Sequence, residues 1–167
     1  LSSSSDIYSF ASSLDFKVEG EGTIVLDIVD EAERISIYEI PFMLDKTPPS
    51  FKNLKIGLKD FNDFSKKGTL LTCAKSLLLK LGAVDSGAGV DSLLIYKGNI
   101  TKENLVKKVD LKLENNNAVF ETYLDLSLGE NAFSFILFDK MGHKTVWNCD
   151  ITANNSSLTL EIVPLIK

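Results

Sequence analysis

From Gly22 to Asp30 apolar and polar positions alternate with period two, so Ile24, Leu26 and Ile28 point to one side of an extended segment and Thr23, Val25, Asp27 and Val29 to the other. This is the pattern of a strand with one buried side. The polar turn from Asp30 to Arg34 leads into Ile35–Phe42, rich in β-branched and aromatic residues, and the two runs make a hairpin. Pro41 cannot donate to a ladder, which suits the end or edge of its strand. Farther along, turn signals recur at 66–68, 85–89, 97–99, 115–117, 129–131 and 139–143, leaving room for short strands between them. Val109–Leu113 with Val119–Leu124, and Phe133–Phe138 with Thr145–Ile151, read as two more hairpins. Strands at this spacing predict an all-β sandwich and not βαβ units.

One stretch fits two periods. Leu70, Leu71, Ala74, Leu77, Leu78 and Leu81 lie at helical spacing with Gly82 where a C′ residue would sit, which describes a helix over about 69–81. The alternative is an edge strand over Leu70–Cys73 followed by a strand with Leu77, Leu79, Leu81 and Ala83 on one face. Residues 101–108 are similarly open and allow one helical turn between strands. Asp45-Lys46-Thr47-Pro48-Pro49 is the strongest punctuation, because two adjacent prolines fix φ and remove two donors. It divides the chain into 1–46, a main domain over 47–154, and a tail over 155–167 in which Leu158–Val163 alternates as a strand would. The serines at 2–5 read as a flexible lead-in.

The two ends of the chain match each other. Asp30 and Asp139 stand 109 positions apart, and the same offset lays Gly20-Glu21-Gly22-Thr23 on Gly129-Glu130-Asn131-Ala132. Ile24, Leu26 and Ile28 then fall on Phe133, Phe135 and Leu137, and Ile37-Tyr38 on Val146-Trp147. With one residue of slack, Leu14-Asp15-Phe16 meets Leu124-Asp125-Leu126. The second copy has the length of a complete sandwich of about 100 residues, and the first is only its closing part.

The segments DKTPPSF, LGAVDSGAGVDSLLIYKGN and LSLGENAFSFILFDKMGHK, in that order, resemble the bacterial immunoglobulin-like (or fibronectin-like) β-sandwich domains found in tandem on cell-surface and secreted proteins. The resemblance covers about 47–153 as a full module and 14–47 as a truncated one. It departs from the family pattern at His143, where Asn is usual, and at Asp30-Glu31-Ala32-Glu33, which lacks the glycine. It implies an all-β immunoglobulin-like sandwich with a partial second β-sandwich at the N-terminus, and strands in the leucine-rich segment.

Composition narrows the chemistry. The 167 residues carry 18 Lys and Arg against 23 Asp and Glu, a net charge of -5, which disfavours phosphate backbones and anionic lipid as partners. Hydrophobic residues make up 44% of the chain, enough for a sizeable core. No apolar run approaches the roughly 18–20 residues of a membrane-spanning helix, so no membrane insertion is expected. A chain opening on Leu1 without an apolar leader reads as a mature product or as a piece of something longer.

His143 is the single histidine, and Cys73 and Cys149 show no CxxC spacing, so no catalytic constellation is recognisable and an enzyme is not expected. Asp85, Asp91 and Asp139, with Asp45, lie in or beside turns and are the residues that would suit calcium, the only cofactor considered. Their competing role is to fix the turns by bonding local backbone. Cys73 and Cys149 could be bridged if the edge strand at 70–73 lies beside the last strand. Exposed aromatics would offer a polymeric or protein ligand a platform.

The expectation is a non-catalytic structural, spacer or adhesion module of a larger extracytoplasmic bacterial protein, extracellular or at the cell surface. Its rival is the accessory substrate-binding region of a secreted protease or glycosidase. The truncated first module needs partners, either the remainder of a larger polypeptide or another chain, to complete its sandwich.

Overall fold

Alternation in the sequence becomes extended structure almost throughout. A computed structural model describes residues 11–114 and 117–155, which fall into two units divided between Asp45 and Lys46. The first unit is one antiparallel hairpin of β1 (Gly20–Val29) and β2 (Ile35–Leu44), in register from Gly20 opposite Leu44 to Val29 opposite Ile35. Pro41 lies inside β2, opposite Thr23, and not at the strand's end. A two-stranded sheet has only edge strands, so the missing donor costs no second ladder.

The second unit contains β3 (Ser50–Ile56), β4 (Lys59–Phe61), β5 (Gly68–Thr72), β6 (Ser76–Val84), β7 (Val90–Lys97), β8 (Leu105–Asp110), β9 (Lys112–Glu114), β10 (Asn117–Asp125), β11 (Gly129–Asp139) and β12 (Lys144–Ala153). One sheet has the order β4-β3-β6-β10-β9 and the other β5-β12-β11-β7-β8. Neighbouring strands are antiparallel except β5 and β12, which run parallel. In chain order this gives four strands of one sheet as first, second, fifth and fourth of a module, and in the other sheet the third, sixth and seventh with the split first strand β5 added at the edge. The fold is an immunoglobulin-like β-sandwich.

Every second side chain of the central strands turns inward. Leu79, Leu81, Phe120 and Leu124 from one sheet meet Leu93, Ile95, Phe133, Phe135, Leu137, Trp147 and Ile151 from the other in a single apolar core. The leucine-rich segment is β5 and β6, so the helical alternative is excluded. Its leucines are dense because β6 is hydrogen-bonded on both edges, by β3 and β10, and carries core on its inner face. Residues 102–104 form a single 3-10 turn ahead of β8, as one of the two readings of that segment had it.

The run Val109–Leu113 is not one strand. Val109 and Asp110 end β8 in the second sheet, and the chain crosses at Leu111 so that β9 pairs with β10 in the first. Trp147 anchors the core's open end: its ring lies 5.2 Å from Phe61, 5.7 Å from Phe64 and 5.6 Å from Phe135, and its Nε1–H donates to the Lys66 carbonyl at 2.9 Å. Gly68 permits that seat, since a Cβ there would stand 2.5 Å from the indole. The expected tail strand at 158–163 and the serine lead-in lie outside the described residues.

Candidate functional site

The hairpin turns carry the most organised polar chemistry in the chain. Asp139 is buried at the end of β11, and its Oδ1 accepts from the backbone N–H of Met141 (2.8 Å) and His143 (2.9 Å). Its Oδ2 accepts from His143 Nδ1 at 2.8 Å. The Asp139 N–H donates to the His143 carbonyl at 3.1 Å, and Gly142 turns the chain with φ 90°. The only imidazole is thereby spent on holding its own turn.

The same turn recurs in the first unit. Asp30 Oδ1 accepts from the N–H groups of Ala32 and Arg34, both at 2.9 Å, and Oδ2 accepts from Arg34 Nε at 2.6 Å. The Asp30 N–H donates to the Arg34 carbonyl at 3.1 Å. Each residue stands 109 positions before its counterpart, and Arg34 takes the place of His143. Glu33, where the family resemblance lacks its glycine, adopts φ 60° as Gly142 adopts 90°. The Arg34 N–H, with the guanidinium and the Ala32 N–H, holds the Asp30 carboxyl below the usual carboxylate range against the opposing effect of desolvation.

The correspondence extends along both strands. Gly20 pairs with Leu44 as Gly129 pairs with Ala153, Ile24 with Ile40 as Phe133 with Cys149, and Leu26 with Tyr38 as Phe135 with Trp147. In the second unit this face is sealed, with Leu137 at 0%, Trp147 at 2% and Cys149 at 0% exposure. Their counterparts Ile28, Tyr38 and Ile40 are 45%, 55% and 46% exposed.

Of the residues expected to suit calcium, Asp85 and Asp91 are not brought together with Asp139. Asp85 Oδ2 accepts from the N–H groups of Gly87 (3.1 Å) and Gly89 (2.7 Å), tying its own loop, while its Oδ1 is buried without a hydrogen-bond partner. Asp91 is exposed in a β-bulge, because Phe138 and Asp139 face Ser92 and Val90 across it. Asp139 has both oxygens committed as above. Among the described residues no cluster of ligand atoms contains Asp85 or Asp91.

No disulfide joins Cys73 and Cys149. The edge strand does lie beside the last strand, but Cys149 faces Gly68, and Cys73 follows Thr72, which faces Ala153. Five residues of strand, about 16 Å, separate the two positions, so no bridge forms between them. Burial pushes the Cys149 thiol up to about 12, which leaves it chemically inert.

Sequence reasoning gave Asn131 no role beyond a turn. It is 1% exposed: Oδ1 accepts from Ser127 N–H at 2.8 Å, and Nδ2 donates to the carbonyls of Ser127 (2.8 Å), Gly129 (3.0 Å) and Ile151 (3.2 Å). It thus clamps the β10–β11 loop onto β12. Its position on the inward face, two residues before Phe133, is the signal that could have found it.

No protein-family model matches the sequence, and no curated protein does. Among solved structures, fibronectin(III)-like modules of Clostridium thermocellum CbhA are 13% identical with a TM-score of 0.46, covering 89% of this chain and 70% of that one. A chimeric titin Z1Z2 is 11% identical with a TM-score of 0.38, covering 66% of this chain and 98% of that one. Domains 4 and 5 of the S-layer protein SbsC are 9% identical with a TM-score of 0.29, covering 81% of this chain and 67% of that one. The fold assignment rests on strand order and on the facing cores. Among the described residues no helix is long and apolar enough to cross a membrane.

Proposed function

We propose that this chain is a non-catalytic spacer or adhesion segment of a larger extracytoplasmic protein, built from serial immunoglobulin-like modules. The observation that carries this is the hairpin repeated in identical register at an offset of 109 residues, which is what serial modules produce. The use of polar chemistry fits the same reading. His143 and Asp139 close a turn, Asp85 ties a loop, and Cys149 is sealed in the core. Among the described residues the exposed aromatics are Tyr38 and Tyr123, one in each unit, and not the row on one sheet that would favour the accessory reading.

The parallel β5–β12 pairing suits a load-bearing role. Five consecutive pairs, from Gly68 opposite Cys149 to Thr72 opposite Ala153, lie between an early and the last described strand of the unit, so tension along the chain shears them together. Force spectroscopy on the full chain tests this. The second unit should yield in one resolved event that releases roughly 300–350 Å of contour length. Extension with no resolved event, together with saturable binding of a polysaccharide or peptide, would replace the spacer by the accessory reading.

A further inference from the structure

The face of β1–β2 that carries Ile24, Leu26, Ile28, Tyr38, Ile40 and Phe42 has a worked counterpart in the same molecule. Opposite residues of an antiparallel pair share a face, so Gly22, Ile24, Leu26 and Ile28 lie with Phe42, Ile40, Tyr38 and Ser36. The corresponding eight positions of β11–β12 are Asn131, Phe133, Phe135 and Leu137 with Ile151, Cys149, Trp147 and Thr145. Every position that is apolar in the second set is apolar in the first, and Ser36 stands where Thr145 does. This face carries no charged residue, whereas the opposite one sets Glu21, Asp27 and Glu39 among Val25, Val29, Ile35 and Ile37.

The second unit shows what covers such a face. β7 pairs along the outer edge of β11, β5 along the outer edge of β12, and the sheet containing β3, β6 and β10 lies over the side chains. In the first unit both outer edges are unpaired within the described sheet. One element of the cover is already present: the Phe16 ring sits 4.3 Å from that of Phe42, at the place where Leu126 packs against the core of the second unit.

We infer that this face is a docking surface for an immunoglobulin-like complement, a polypeptide equivalent to residues 50–125 that supplies a facing sheet and one strand along each edge. The inference rests on the modular reading above and adds the partner's chemistry: apolar, β-branched and aromatic side chains at period two, with free strand edges to pair. A second copy of this chain is a poor occupant, because its own residues 50–125 are already closed by its own β11–β12.

Two chains test it. In one, a second copy of residues 47–128 is written directly before Gly20 of the full chain. In the other, residues 20–44 replace 129–153, a swap of equal length in equal register. In the extended chain the β1–β2 amides should gain at least about tenfold in hydrogen-exchange protection, and Tyr38→Asp with Ile40→Asp should remove that gain. The swapped chain should unfold cooperatively. Either result supports the inference, because hydrophobic residues of about the right size are enough to close such a core. Absence of both overturns it, as does β1–β2 protection in the unextended chain that rises with protein concentration, which would make a second copy the occupant. Neither failure touches the force measurement on the second unit, so the two proposals fall separately.

Discussion

The hairpins β1–β2 and β11–β12 share register, turn hydrogen bonds and the pattern of apolar positions, and they differ in what lies over them. The comparison separates two levels of folding information. Pairing and turn geometry are written locally, in alternation and in an aspartate that ties the N–H groups two and four residues on. Burial is written nonlocally, in strands that precede the hairpin by up to 80 residues in the second unit.

The largest effect expected from that difference is in the core. Phe135→Ala should cost the second unit about 3–5 kcal/mol, whereas Leu26→Ala at the matching position should leave that unit's unfolding midpoint unchanged. Denaturation followed by the emission of Trp147, the single tryptophan, reads the second unit alone. A shift from Leu26→Ala would mean that the first unit contributes to the same cooperative transition.

The turns come next. Asp139→Ala should cost about 2–3 kcal/mol, because two part-buried N–H groups and the imidazole lose a buried carboxylate acceptor, and Asp30→Ala should have a visibly smaller effect in its solvated turn. The same denaturation series measures the first, and amide exchange at Ala32 and Arg34 the second. Equal effects would contradict the difference in burial.

Smaller still are the backbone changes. Gly142→Ala should destabilise by about 1 kcal/mol, since φ 90° suits only glycine, and Glu33→Gly should stabilise its hairpin by up to a similar amount. Thermal unfolding and hairpin amide exchange measure the pair, and the same sign for both would refute the shared turn.

The smallest is a pH effect. A carboxyl whose folded-state value is depressed contributes stability above its ordinary titration range, near pH 4, and loses it as pH falls through the lower folded value. The Ala32 and Arg34 amides should therefore lose protection on acidification below about pH 4. Constant protection down to the acid limit would show that the carboxylate bonds do not hold this turn.

Much of this architecture is legible in the residues because it is local. Both hairpins and the inward set Ile24, Leu26 and Ile28 follow from period two. What was illegible depends on partners far away in sequence. Val109–Leu113 alternates perfectly, yet alternation cannot reveal that a strand changes sheets at Leu111. Leucines at 70–81 satisfy two periods at once, and the choice falls to neighbours β3 and β10. The strand adjacency behind the Cys73–Cys149 expectation is present, but parallel register slides the two residues apart. Asp85 and Asp139 sit in the turns anticipated for them and bond their own loops, while a bulge turns Asp91 outward. Asn131 looked like punctuation because it closes the Gly129-Glu130-Asn131 turn signal, and its partners Ser127 and Ile151 are set by the fold.

The parallel ladder between β5 and β12 also constrains when the second unit can mature. Gly68 and Cys149 are 81 positions apart, so the seam joining them closes only after nearly the whole unit has been synthesised. Until then β5 offers an open edge on the nascent chain, and a ribosome stalled anywhere before β12 leaves that edge available to neighbouring nascent chains.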